Sequence, residues 1–312
     1  MKGRDGARGL PPAGVLAIVS MLITASLAAQ TPVFRASSVY VSVNVSVKRG
    51  NRVVPNLTAR DFRLTDNGVA QQVEAVAIES VPIDVTLFLD TSASTAGRLE
   101  EMKADVQGII RLLRPADRFR LLTIGDAVDE PVAWVPAGTT VHLPFKAIGG
   151  ISLIQDALTI ALLHRPDPDR RHLIVGMTDR RDCGSVVSSA QLLEIASRSE
   201  AILHLIEQEG GGDTPDTRVR GCSPTARIDG PELITQAAER TGGERHTGST
   251  FFRSRSILNA FRRIFDDFRQ SYMLRYRPTG VDPAGWHAIE VEVPAVSDAT
   301  IRARKGYFGD RK

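Results

Sequence analysis

The order of apolar and polar residues divides the chain into three parts, the first of which has the pattern of short strands. Residues 39–47, within SVYVSVNVSVKRG, alternate between apolar and polar side chains, which is the period of a strand with one buried face. Further strands are predicted at residues 62–65 and from Val73, separated by the turn sequence DNG. These features predict a small β unit.

The pattern changes at Ile83, where the sequence VTLFLD is almost continuously apolar. Strands of this kind are covered on both faces and occur mainly in parallel sheets. From here to residue 270, strand-like runs alternate with segments whose apolar residues recur every three or four positions, as in helices. The alternation predicts the α/β fold class, with a doubly wound, mostly parallel sheet that has helices on both faces.

The last part of the chain, residues 271–312, returns to an alternation of apolar and polar residues between turns. It is predicted to form antiparallel strands. We expect it to pack with residues 30–82, so that the N- and C-terminal segments form one small β module. The α/β domain of residues 83–270 would then interrupt that module.

Residues 1–29 have the pattern of a secretory signal peptide. Lys2, Arg4 and Arg8 precede an apolar run at residues 15–28, which ends in the small residues of SLAAQ. The run is shorter than the roughly 20 residues that span a bilayer, so a cleaved signal is favoured over a retained anchor. No later segment has the apolar length of a membrane span. The expected protein is exported, to the periplasm or out of the cell.

Charge gives no indication of a nucleic-acid partner. Much of the formal net charge of +3 lies in the predicted signal peptide. The arginine-rich sequences FRRIFDDFR and RARKGYFGDRK interleave acids or glycine and lack a repeated aromatic and basic pattern, which is typical of a solvated face.

The chain has two cysteines, Cys183 and Cys222. In an exported protein such a pair is more often bonded than free, although two free thiols remain the alternative. A disulfide between them would stabilise the fold by about 4 kcal/mol on a chain-entropy estimate. Each cysteine follows one of two predicted neighbouring strands, so the bond would clamp the carboxyl edge of the sheet.

Oxygen-bearing side chains are found where the buried strands end. Asp90 ends the run LFLD and is followed by Ser92 and Ser94, and Asp179 ends LIVGMTD. Another loop, GGISLIQDAL, brings Ser152 in front of a helix. Ligands of open α/β sheets gather at the carboxyl ends of the strands, so these side chains are expected to meet there. Carboxylate and hydroxyl oxygens suit Mg²⁺, whereas Zn²⁺ would favour nitrogen or sulfur.

A structural role or a catalytic role would also account for these residues. Asp and Ser cap helices routinely, so the same side chains could serve only as caps. The sequence has no GxSxG or HExxH motif and no phosphate-binding glycine loop, and its six histidines show no ligand spacing, which favours core or surface roles for them. A metal-dependent hydrolase is therefore the weakest of the hypotheses.

The loop sequences resemble those of von Willebrand factor A domains. DTSAS, which begins at Asp90, is similar to the family signature DxSxS, and GISLIQDAL to its second-loop segment, with Ser152 in place of threonine. MTDRRD is similar to the third loop, with Asp179 as the aspartate, and ERTGGERH to the segment before the last helix. The flanking sequences NLTARDFRLTDNGVAQQV, YMLRYRP and IRARKGYFG resemble the VWFA-related proteins of Acidobacteria. The resemblance covers nearly all of the chain after the signal peptide.

The resemblance implies a metal-ion-dependent adhesion site that holds Mg²⁺, or Mn²⁺ or Ca²⁺, on five residues: Asp90, Ser92, Ser94, Ser152 and Asp179. In the family, an acidic side chain of a partner protein completes the coordination of the ion. The expected function is therefore that of an exported interaction protein and not of an enzyme.

Besides Ser152, the sequence departs from the family pattern at four further positions, which are Ala93, Thr95, Ile151 and Arg180. Arg180, together with Arg181, places positive charge beside the third loop. This charge would weaken the binding of a divalent cation or attract an acidic partner. The alternative function is an exported structural scaffold with a vestigial metal site.

Overall fold

The structure is a computed structural model of the 312-residue chain. It describes residues 40–50, 52–77, 81–91, 98–144, 146, 152–165, 167, 169–178, 182, 184–207, 226–247 and 257–309. The helices in this part of the chain are α1 (Leu99–Leu112), α2 (Ile154–Leu162), α3 (Ser189–Arg198), α4 (Ala226–Arg240) and α5 (Ile257–Arg269). The strands are β1 (Val41–Arg49), β2 (Arg52–Val53), β3 (Arg63–Asp66), β4 (Val69–Gln71), β5 (Val73–Ala77), β6 (Ile83–Asp90), β7 (Arg118–Ile124), β8 (Val128–Pro136), β9 (Arg171–Thr178), β10 (Ile202–Glu207), β11 (Arg245–His246), β12 (Tyr272–Tyr276), β13 (Gly285–Glu292), β14 (Thr300–Ala303) and β15 (Gly306–Gly309).

Six strands form one sheet in the order β11-β10-β9-β6-β7-β8. All neighbouring pairs are parallel except β7 and β8. When these strands are numbered 1 to 6 along the chain from β6 to β11, their order from the β8 edge is 3-2-1-4-5-6. The first strand is in the centre and later strands are added on both sides of it, as in doubly wound folds. The direction of winding reverses between β6 and β9. This switch point defines the crevice where doubly wound sheets bind ligands.

Helices cover both faces of this sheet. On one face, α1 and α5 pack in a core with Val85, Leu87 and Leu89 of β6. On the other, α2, α3 and α4 pack in a core with Phe88 of the same strand. Successive residues of β6 therefore point to opposite, equally covered faces, which explains its continuous apolar sequence.

The remaining strands form two antiparallel sheets. One has the order β14-β1-β12-β5, with β2 also paired to β1, and the other has the order β15-β13-β3-β4. The N-terminal strand β1 pairs with the C-terminal strands β12 and β14, and β3 pairs with β13. Inward-facing residues of both sheets share a core that includes Val43, Leu64 and Tyr276. The predicted fold class is thus confirmed, with a β module built from both ends of the described chain. That the α/β domain comprises residues 83–270 stays a prediction.

The burial of one histidine predicts that the stability of the fold falls in mild acid. His172 of β9 is fully buried, and its Nε2 lies 2.9 Å from Thr86 Oγ1. Burial, assisted by the neighbouring His164, lowers the pKa of His172 to about 3. In the unfolded chain the pKa of this histidine is near 6.5. Below that pH the histidine is protonated in the unfolded state but stays neutral in the folded state, which favours unfolding.

We therefore expect the free energy of unfolding to be highest, as far as His172 is concerned, above pH 6.5. This contribution should be lost as the pH falls from 6.5 towards 3. Its contribution should fall by up to about 1.4 kcal/mol per pH unit. Urea denaturation at pH 7 and pH 5 measures this loss. His172→Gln should show a smaller loss than the wild type, and His142→Gln, which removes a histidine outside the core, should not. Equal losses in wild type and His172→Gln would contradict the assignment.

Candidate functional site

The candidate site is at the carboxyl end of β6, beside the crevice between β6 and β9. Asp90 is the last residue of β6 and is paired with Ile124 of β7. Its neighbour Thr91 is fixed by two bonds to the Ile124 carbonyl, since both its backbone N–H and its hydroxyl donate to that oxygen at 2.9 Å. The backbone around Asp90 is therefore held firmly at the edge of the sheet, and only 1% of Asp90 is exposed.

Ser152 approaches Asp90 from a second loop, 62 positions away in the sequence. Its hydroxyl oxygen lies 3.4 Å from each carboxylate oxygen of Asp90. Ser152 is itself buried and lies just before α2, which packs in the core on one face of the sheet. Two of the five predicted ligands are thus adjacent, although they come from different elements.

The other predicted residues of the site lie outside the part of the chain that the structure describes. They are Ser92, Ser94 and Asp179, with the neighbouring Arg180 and both residues of the predicted disulfide, Cys183 and Cys222. The described part of β9 ends at Thr178, which is buried and paired with Glu207 of β10. The preceding residue, Met177, is paired with Leu89 of β6, so this end of β9 lies next to the strand that carries Asp90.

Two carboxylates that were not predicted as site residues connect the third loop to α2. Asp182 Oδ1 accepts hydrogen bonds from the Gln155 backbone N–H at 2.9 Å and from the Ser185 hydroxyl at 2.6 Å. In the opposite direction, Asp156 accepts from the backbone N–H of Val187 at 2.9 Å. Burial raises the pKa of Asp182, and these two donors act against that rise. The reciprocal bonds hold the loop that follows β9 against the start of α2, which Ser152 precedes.

A sequence signal for this connection exists only in part. Asp156 is in the first turn of α2, where a carboxylate interacts favourably with the helix dipole. However, Asp156 is 31 positions from its partner Val187, and Asp182 is 27 positions from Gln155. No local spacing motif connects either pair.

The donor chemistry of Asp90 and Ser152 fits a divalent cation. Both residues offer oxygen, which Mg²⁺ and Ca²⁺ prefer. Two oxygens at right angles around one ion are about 3.0 Å apart for bonds of 2.1 Å, and about 3.4 Å apart for bonds of 2.4 Å. The observed separation of 3.4 Å falls at the upper end of that range.

Comparison with known proteins adds structural likeness only. No protein-family model matches the chain, and no curated protein matches it. Among solved structures, a von Willebrand factor type A protein from Catenulispora acidiphila is 10% identical, with 88% of this chain and 75% of that chain covered at a TM-score of 0.45. The manganese-loaded TRAP protein of Plasmodium vivax is 14% identical, with 73% and 96% covered at a TM-score of 0.41. The VWA domain of SpRpn10 is 20% identical, with 40% and 74% covered at a TM-score of 0.31.

At these identities and TM-scores, the likenesses assign neither a family nor a function. The class of the protein follows from its own strand order: a doubly wound α/β domain, with the side-chain oxygens of Asp90 and Ser152 close together at its switch point. Among the described helices, none combines the length and the apolar character that a membrane crossing requires.

Proposed function

We propose that this chain is an exported interaction protein that binds a partner protein through a divalent cation at the carboxyl edge of its sheet. The observation that carries the proposal is the approach of Ser152 Oγ to both carboxylate oxygens of Asp90 at 3.4 Å. The separation exceeds the roughly 2.5–3.0 Å of an ordinary O–H···O hydrogen bond. The three oxygens are therefore close enough to share an ion without being tightly bonded to each other.

The location of Asp90 supports the same conclusion. Asp90 is at the switch point of the sheet, the place where folds of this type bind ligands. The location and the donor type thus favour a cation site over a simple helix cap.

In the proposed site, Asp90 supplies negative charge and Ser152 a neutral hydroxyl oxygen. Ser92, Ser94 and Asp179 are the proposed further ligands, because they follow the ends of β6 and β9 in the sequence. The bound cation would supply a coordination position for an acidic side chain of the partner. We further propose the cleaved signal peptide and the Cys183–Cys222 disulfide for the exported protein.

Thermal unfolding of the full chain tests the cation. Excess Mg²⁺ or Mn²⁺ should raise the Tm relative to chelator, because a ligand at about 100 times its Kd stabilises the folded state by about 2.7 kcal/mol. Asp90→Asn should abolish the shift and Ser152→Ala should reduce it. Glu290→Gln, which removes one exposed carboxylate on β13, should retain the shift. A shift that is absent in the wild type, or equal in Asp90→Asn, would instead favour a structural scaffold.

A further inference from the structure

A separate group of metal-binding side chains lies at the β10–β11 edge of the sheet. His204 is on β10. Glu244 immediately precedes β11, and His246 is the last residue of β11. His204 Nδ1 is 2.9 Å from His246 Nε2, which is 3.8 Å from Glu244 Oε1. One ligand atom from each residue lies within 4.8 Å of the other two.

We propose that His204, Glu244 and His246 bind one Zn²⁺ ion. Zinc prefers tetrahedral sites with nitrogen and oxygen ligands at about 2.0–2.2 Å, and two such ligands are about 3.3 Å apart. Two of the observed separations, 2.9 Å and 3.8 Å, lie on either side of that value, and all three ligand atoms are within 4.8 Å of one another. Side-chain movements would bring the three atoms around one ion. Three protein ligands leave the fourth position for water or another ligand.

The carboxylate of Glu244 is already oriented for this role. Its Oε2 contacts the Arg302 guanidinium, whereas its Oε1 is the atom near His246. One oxygen is thus held by a cationic partner while the other is directed at the histidines. Supporting contacts of this kind orient the ligands in known metal sites.

One nearby positive charge, Lys48, is paired with Asp267. This pair limits the repulsion that Lys48 would exert on a bound metal ion, whereas Arg302 is paired with the proposed ligand Glu244 itself.

The three residues line one pocket, which gives an ion access and room for a fourth ligand. The pocket is also lined by Asn44 and Ser46 of β1. Water or one of these polar side chains could complete the coordination. His204 is buried at the pocket, while Glu244 and His246 are partly exposed and provide the route from solvent.

Competition between the full chain and a chromophoric chelator for Zn²⁺ tests the proposal. The measurement is made with excess Mg²⁺, which occupies oxygen sites in preference to nitrogen sites. We expect one Zn²⁺ per chain. His246→Ala and Glu244→Gln each remove a direct ligand. Each should weaken Zn²⁺ binding by at least roughly 10–100-fold, which is the loss typical when only a residue that supports a ligand is removed. His142→Ala, a histidine variant away from the group, should bind as the wild type does.

Two further variants distinguish this site from the one at Asp90. Asp90→Asn should retain Zn²⁺ binding, because the zinc proposal does not depend on the proposed function. If His246→Ala does not fold, His246→Gln and Glu244→Gln give the same test with less loss of volume. Zn²⁺ binding that is absent, or unchanged in both ligand variants, would overturn the proposal and leave His204 and His246 as a hydrogen-bonded pair.

Discussion

Asp66→Ala is expected to lower the free energy of unfolding by about 3–5 kcal/mol, the loss typical of breaking a buried charged network. Asp66 is completely buried in the β module. Its carboxylate accepts hydrogen bonds from the Tyr276 hydroxyl at 2.8 Å, the Tyr307 hydroxyl at 2.9 Å and His287 Nδ1 at 2.7 Å. Alanine would leave all three groups without this acceptor, and each unsatisfied buried group costs about 1–3 kcal/mol.

The network connects strands from both ends of the chain, so its loss should affect the whole β module. Burial, followed by the hydrogen bond to Asp66, raises the pKa of both Tyr276 and Tyr307, which keeps them as protonated donors. Chemical denaturation measures the effect. The control is Asp298→Ala, which breaks an exposed pair with Arg49 and should cost less than about 1 kcal/mol. Equal losses in the two variants would show that the network does not stabilise the fold.

Gly243→Ala is expected to cost at least about 3 kcal/mol, the upper end of the range for overpacking a well-packed interior. A Cβ atom at Gly243 would lie 1.8 Å from the carbonyl oxygen of Leu203 and 2.6 Å from its carbonyl carbon. Both are backbone atoms of β10, so a side-chain rotation cannot relieve the clash. The strand and the segment before β11 would have to separate, although a bond between Leu205 N and Glu244 O joins them at 3.0 Å.

Gly138→Ala is the matched control for Gly243→Ala. Gly138 has a positive φ of 82°, but a Cβ there meets nothing within 4 Å. This control should cost only the backbone strain of the left-handed conformation, about 1–2 kcal/mol. Comparing the two by chemical denaturation separates strain from collision. A loss in Gly243→Ala no larger than in Gly138→Ala would contradict the close packing between β10 and this segment.

The sequence predicts the central sheet well because each strand carries its own signal. The continuous apolar run of β6 and the helical periodicity of α1 depend on local sequence, and both elements form as expected. Strand β8 was not predicted. Its sequence VDEPVAWVP includes Pro131 and adjacent acids, which an edge strand tolerates. Strand β11, with two residues, is too short to show any period.

The approach of Ser152 to Asp90 was predicted, but only part of the reason holds. Asp90 ends a parallel strand, as expected, and Ser152 lies next to it. Ser152, however, follows the antiparallel strand β8, so its position does not come from the parallel strand ends. His204 and His246 were missed because neighbouring parallel strands bring them together across 42 positions, without a spacing motif. Asp66 was predicted only as part of a turn, and its network partner Tyr276 lies 210 positions further along the chain.

Direct binding of Mn²⁺ to the full chain is the sharpest test of the cation site at Asp90. Isothermal titration calorimetry of wild type and variants should give one Mn²⁺ bound at the switch point. That binding should be lost in Asp90→Asn and weakened in Ser152→Ala, but retained in His246→Gln and Glu290→Gln. Mn²⁺ binding that is absent from the wild type, or that persists unchanged in Asp90→Asn, would contradict the proposed site.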